Sequence, residues 1–177
     1  MSIYNVFSFL DENDLEDIAS LQSIVMKNLK QNDRAHFIIE RSKEYFKNNI
    51  QFPHAVLGVR TKGKLVAQSI FHHSQTLNPE YIKGLSLDGY KLCDPVSILQ
   101  GALIHPDHRG QKLLSCMTEA WFDWAQEHKY KYILTRIQER NDRSLSSFKK
   151  SGLQDAGSIL DARDGVTVKV LYKRFDK

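Results

Sequence analysis

Apolar positions along the chain follow two rhythms, and the switch between them marks out the elements. Val6-Phe7-Ser8-Phe9-Leu10 has the short, apolar character of a first strand. Asp11 to Asp14 then supplies a capping signal. Leu15, Ile18, Ala19, Leu21, Gln22, Val25, Met26 and Leu29 recur at helical spacing, a stripe that predicts a helix ending near Lys30. A second helix is expected from about Arg34 to Asn48, with Phe37, Ile38, Arg41, Tyr45 and Phe46 on one side. His54 to Arg60 and Leu65 to Phe71 are β-rich runs separated by Thr61-Lys62-Gly63-Lys64, a hairpin signal with glycine in the turn. Ser74 to Pro95 has no periodicity and is punctuated by Pro79, Gly84, Asp88, Gly89 and Asp94; connections of this length commonly border a functional site.

The second half of the chain is more strongly patterned. Ile98 to Ile104 predicts a buried strand, stopped by His105-Pro106-Asp107-His108 because proline cannot donate to a ladder. Leu113, Leu114, Met117, Ala120, Trp121, Trp124 and Ala125 make one apolar helical face, with Glu119, Asp123 and Glu127 opposite. Lys131 to Ile137 is a further strand and Asn141 to Ser151 a helix, with Gly152 as its C-cap. Ser158 to Ala162 and Val166 to Phe175 close the chain as two strands about a turn at Arg163-Asp164-Gly165. The predicted order is β-α-α-β-β-β-α-β-α-β-β: an antiparallel meander feeding a strand–helix–strand unit.

Composition narrows the class without changing this layout. A chain of 177 residues, 41% of them hydrophobic, fits one domain over residues 1–177 with a sizeable core. The pattern holds no run long enough for a membrane span, and MSIYNVFSFLDEND lacks the basic leader of a signal peptide. Cys93 and Cys116 have neither CxxC spacing nor a histidine set, so no metal is expected, and two free thiols fit a reducing cytoplasm. The net charge of +4 is spread among acidic residues, unlike the clustered basic face of a nucleic-acid binder.

The stretch Ser97 to Ser115, SILQGALIHPDHRGQKLLS, carries the chemistry. A strand passing through an Arg-Gly turn into a helix presents amides that have no intrahelical partner, at the positive end of the helix dipole. Arg109 and Lys112 add full charges there. The arrangement suits a phosphate or pyrophosphate; a solvated basic turn between strand and helix is the other reading of the same residues.

HPDHRGQKLL resembles the acetyl-CoA loop of the GCN5-related N-acetyltransferases (the GNAT superfamily), Pro-x-x-Arg/Gln-x-x-Gly-x-Gly after a buried strand. Asn141 to Leu153 resembles that family's Asn-x-x-Ala/Ser-x-x-x-Tyr/Phe-x-x-x-Gly-Phe/Leu, in the right order and at the right interval. The resemblance implies an α/β (α+β) fold with a mixed, mostly antiparallel twisted sheet of six to seven strands and about four helices. It implies acetyl-CoA as co-substrate and an amine acceptor as partner; the cytoplasmic location follows from the cysteines, and the oligomeric state, a homodimer included, stays open. The pantetheine arm would pair with the backbone of Ala102, Leu103 and Ile104. The pyrophosphate would lie on Gly110, Gln111, Lys112, Leu113, Leu114 and Ser115, with Arg109 opening the motif, while Asn141 would contact the cofactor arm or simply cap its helix.

Two departures bear on mechanism. Lys112 and Leu114 stand where the family has Gly-x-Gly; glycine admits backbone close to phosphate, whereas lysine offers a point charge. Phe148 occupies the place of the tyrosine that many relatives use as general acid, and Arg136 that of a frequent glutamate base. Glu139, His72, His73 and Asp94 are titratable groups that could substitute, but each also reads as a surface or structural residue, and no catalytic residue is assigned. The implied activity is transfer of the acetyl group of acetyl-CoA to an amine acceptor, expected to be a small molecule; the alternative is an acyl-CoA-binding sensor or regulatory domain with little or no turnover.

Overall fold

The computed structural model describes residues 5–31, 37–74, 84–161 and 165–175. Its strands are β1 (Asn5–Phe9), β2 (Ala55–Thr61), β3 (Lys64–Ser74), β4 (Val96–Ile104), β5 (Tyr132–Gln138), β6 (Gln154–Leu160) and β7 (Thr167–Arg174). The helices are α1 (Leu15–Gln31), α2 (Lys43–Asn49), α3 (Leu113–Glu127) and α4 (Asp142–Lys150). Among the described residues this is the predicted order of elements. The seven strands form one sheet in the order β1-β2-β3-β4-β5-β7-β6. The β4–β5 pair is parallel, while β1–β2, β2–β3, β5–β7 and β6–β7 are antiparallel. A parallel pair needs a crossover, and α3 supplies it.

Contacts divide the chain into two compact units. One comprises the chain up to His72 together with Gln100–Met117. Here the apolar stripe of α1 (Ile18, Leu21, Val25, Leu29) packs with Phe46 of α2 and with Val56, Ile70 and Leu103 of the sheet. Asp11 and Asp14 form a reciprocal capping box ahead of α1: the Asp11 carboxylate accepts the Asn13 amide and the Asp14 carboxylate accepts the Asp11 amide. The β2–β3 hairpin turns at Lys62 and Gly63, both at positive φ (51° and 79°), as a two-residue turn requires.

The other unit comprises His73–Leu99 and Thr118 onward. Val96, Tyr132, Leu134, Val170 and Tyr172 pack together here, joined by Leu85 and Leu87 from the irregular connection. Trp121 of α3 is fully buried and donates its indole N–H to the Ser97 hydroxyl at 2.8 Å. Asp155 on β6 sits between Lys149 (3.2 Å) and Lys169 (3.7 Å).

Two predicted boundaries move by more than three residues. The second helix begins at Lys43 rather than near Arg34, and residues 34–36 lie outside the described residues. Ser42 is its N-cap, in extended conformation with its hydroxyl accepting the Tyr45 amide at 3.1 Å. The main chain of Arg41 is committed elsewhere, to the Gln22 side chain. The strand expected from Ser158 begins at Gln154 instead, with a register shift between Asp155 and Gly157. Gln-Asp-Ala-Gly has weak strand propensity, and pairing with β7 overrides it. Of the turn predicted at Arg163-Asp164-Gly165 only Gly165 is described, and residues 75–83 of the predicted irregular connection also lie outside the described residues.

Candidate functional site

The residues of the predicted anion cradle lie within the first unit. β4 runs to Ile104, whose successor His105 donates its amide to the Val66 carbonyl at 2.8 Å. Leu103 is 2% exposed and belongs to the core, while Ala102 and Ile104 are half-buried. The ladder between β4 and β5 covers only Val96↔Tyr132 through Leu99↔Thr135. At that last rung the Thr135 hydroxyl donates to the Leu99 carbonyl at 3.1 Å. Two residues on, Gly101 takes φ +59°, and a Cβ there would stand 3.1 Å from Ile70 Cδ1. A positive φ inside a strand is the mark of a bulge, which ends regular pairing and re-aims the chain.

His105 accepts the Asp107 amide at Nδ1 (3.2 Å) and caps a 3-10 turn over Pro106–His108. Arg109 follows in extended conformation, and its guanidinium donates to Asn28 Oδ1 of α1 at 2.9 Å. Gly110 then takes φ +80° with nothing within 4 Å of a Cβ position. Lys112 takes φ +59°, the left-handed conformation that favours glycine. A backbone shape associated with glycine is thus present with an exposed lysine on it. The α3 ladder opens with Cys116 N–H to Lys112 O at 3.1 Å, so the amides of Leu113, Leu114 and Ser115 lie ahead of it at the positive end of the helix dipole. The side chain of Leu113 is buried, while Gln111 and Lys112 are exposed. The segment carries Arg109 and Lys112, takes left-handed backbone at Gly110 and Lys112, and follows a strand whose ladder with β5 covers Val96 to Leu99.

Asn141 lies in the second unit as the N-cap of α4, its Oδ1 accepting the Ser144 amide at 3.4 Å. The capping role is therefore present; the Nδ2 group is a donor that the cap does not use.

The titratable candidates are occupied in structural roles. Phe148 is 3% exposed and part of the core. Arg136 lies 3.9 Å from the Asp161 carboxylate, and Glu139 accepts the Ser158 hydroxyl at 3.0 Å. His72 stacks on His54, with ring centroids 4.3 Å apart, and meets Asn49 Oδ1 through Nδ1 at 3.2 Å. His73 Nδ1 meets the Tyr130 hydroxyl at 2.8 Å; burial pushes that phenol up to about 12, so it stays protonated throughout the neutral range. Asp94 accepts the Lys91 amide at 2.8 Å and the Lys131 ammonium at 3.1 Å. Burial alone would raise this carboxyl, but those two donors outweigh it and hold it below the ordinary aspartate value.

A carboxyl with a depressed folded-state pKa contributes stability above its unfolded pKa, and that contribution disappears as pH falls through the folded value. Asp94→Asn is accordingly expected to destabilise the protein by about 1 kcal/mol at neutral pH. The difference from the parent should shrink as pH drops below about 4. Melting temperatures of both proteins across pH 2.5 to 7 check this (a range set by the ordinary aspartate titration, roughly 4); a deficit independent of pH would assign Asp94 no electrostatic role.

Missing from the sequence prediction as a group were Arg41, Tyr45 and Gln100. Gln100 Nε2 donates to the Tyr45 hydroxyl at 2.8 Å, and the Arg41 guanidinium lies over the Tyr45 ring, 4.4 Å from its centroid. The signal available was Tyr45 and Arg41 four residues apart, which suggested one helix face; Arg41 in fact precedes the helix.

The architecture places the molecule among α/β proteins with a mixed, mostly antiparallel seven-stranded sheet and a parallel central pair. The fold is that of the GNAT-family acetyltransferases. An acetyltransferase of the GNAT family from Streptococcus pneumoniae superposes with TM-score 0.73 at 14% identity, over 98% of this chain and 100% of that one. An N-acetyltransferase from Staphylococcus aureus Mu50 gives 0.72 at 13% identity, over 97% of each chain. A proposed acetyltransferase from Salmonella typhimurium, solved with its cofactor acetyl-CoA, gives 0.70 at 14% identity, over 98% of this chain and 95% of that one. No protein-family profile matches the sequence, and no curated protein matches it either. Among the described residues, no helix is long and apolar enough to cross a membrane.

Proposed function

We propose that the chain is an N-acetyltransferase, a single domain that moves the acetyl group of acetyl-CoA to an amine on a small molecule. The observation that carries this reading is the left-handed backbone at Gly110 and Lys112, leading into the open end of α3 directly after a strand whose ladder stops at Leu99. Edge amides and carbonyls of residues 102–104 would receive the amide-bearing arm and the loop the two phosphates, and the Salmonella neighbour solved with its cofactor acetyl-CoA supports that choice of ligand.

Acetyl transfer to nitrogen requires a neutral amine, a donor to the carbonyl oxygen and a proton for the departing thiolate. Phe148 offers no proton, and Arg136 is paired with Asp161. The residues named here therefore act by holding the two substrates in line, a contribution that by itself is worth several kcal/mol of barrier. The same two residues favour a second reading, an acyl-CoA-binding sensor that retains the cradle without turnover.

One experiment separates the readings. Acetyl-CoA titration by calorimetry should show saturable binding, and thiol release in the presence of a panel of amines should exceed the rate without them. Binding with no amine-dependent release would support the sensor; absence of binding would remove both.

A further inference from the structure

We propose that the acceptor amine carries a carboxylate or phosphate group and that Arg41 receives it. The inference rests on the acetyl-transfer reading and deepens it.

Arg41 is held unusually firmly for a residue outside any helix or strand. Gln22 of α1, only 6% exposed, accepts the Arg41 amide through Oε1 at 2.9 Å and donates Nε2 to the Arg41 carbonyl at 2.6 Å. Both polar atoms of a buried side chain are thus committed to fixing one residue's main chain. The side chain is fixed too: its guanidinium carbon lies 4.4 Å from the centroid of the Tyr45 ring. That ring is itself anchored, by the Gln100 Nε2 bond to its hydroxyl at 2.8 Å and by an edge contact with the core ring of Phe46 at 5.9 Å.

A guanidinium over an aromatic face gains a cation–π contact without spending its five N–H donors on a carboxylate. Such a fork matches the two oxygens of a carboxylate or phosphate. Of the other described arginines of this unit, Arg60 pairs with Asp14 and Asp17, while Arg109 donates to the neutral Asn28 amide at the proposed phosphate loop. No carboxylate among the described residues pairs with Arg41. A pre-set, unneutralised fork is therefore tied through Tyr45 to Gln100. Gln100 stands on β4 immediately before the bulge at Gly101 and two residues before the backbone assigned to the thioester arm. An anion on Arg41 would hold its own molecule beside that strand, and a free amine on the same molecule would then be presented to the acyl end.

The test compares matched ligands on the parent and on Arg41→Gln. The pairs are free amino acids against their carboxamides, and O-phosphoethanolamine against ethanolamine. In turnover, the parent should favour the anionic member in kcat/KM, and Arg41→Gln should reduce that preference about tenfold to a hundredfold, the worth of a charge-assisted hydrogen-bond pair. Arg41→Lys, which keeps the charge without the fork, should fall between. An unchanged ratio in Arg41→Gln, or a parent that takes the neutral members equally well, would overturn the proposal. Ligand-observed NMR on the same pairs gives the answer without turnover: anionic members should bind the parent and be lost in Arg41→Gln. Failure of acetyl-CoA to bind or react would sink the acetyl-transfer reading alone, because the NMR comparison still decides the role of Arg41. The ligand pairs also distinguish carboxylate from phosphate.

Discussion

Trp121→Ala should destabilise the protein by about 3–5 kcal/mol, the usual cost of truncating a fully buried aromatic ring. Against a typical domain stability of about 5–15 kcal/mol, that removes a large share. Two effects add. The cavity left by the indole is lined by core side chains that relax only in part. The Ser97 hydroxyl, itself fully buried, loses the indole N–H donor that now lies 2.8 Å from it. Trp121→Phe separates the two, since it keeps most of the ring and leaves Ser97 without that donor; its expected cost is about 1–3 kcal/mol. Urea denaturation of the three proteins provides the measurement, and a Phe variant as damaged as the Ala variant would show that the hydrogen bond outweighs the packing.

Lys112→Glu should weaken acetyl-CoA binding by about tenfold to a hundredfold, because it replaces attraction to the phosphates by repulsion at the mouth of α3. The effect should diminish as ionic strength rises, since exposed charges are screened over about 10 Å at 0.1 M salt. Lys112→Gly is the informative partner. With φ at +59°, glycine suits the backbone at least as well as lysine does, so the loop keeps its shape and only the charge is lost. Its binding should be weaker than the parent's by less than Glu's, and calorimetric titration at two salt concentrations measures both. Equal affinity in all three proteins would mean that the phosphates do not lie at this loop.

The sequence made the elements legible wherever one local pattern dominated. Leu113 to Ala125 repeats apolar residues over several turns, and the helix is there. Lys62-Gly63 supplies the positive φ angles that a short hairpin needs, and β2 and β3 pair about it. Where tertiary partners override local preference, the pattern failed. The apolar residues before Lys43 have helical spacing, yet Gln22, distant in sequence, claims the Arg41 backbone. Gln154 to Gly157 resembles a loop until β7 offers it a ladder.

At the candidate site, the basic turn and the start of α3 followed from residue types and spacing. Three features did not. Nothing local announces that Lys112 adopts a left-handed conformation, since lysine seldom does. The direction of the Arg109 side chain depends on Asn28, 81 residues earlier. The association of Arg41, Tyr45 and Gln100 joins a loop, a helix and a strand, and only the folded chain brings them together.

The rung at Leu99 and Thr135 has a further consequence. A carbonyl at the point where two strands stop pairing would ordinarily be left stranded, and a stranded polar group inside a protein is costly. Here a threonine hydroxyl satisfies it from the facing strand. The ladder thus ends with its last carbonyl already paired by a side chain, so that rung owes nothing to any further strand or ligand.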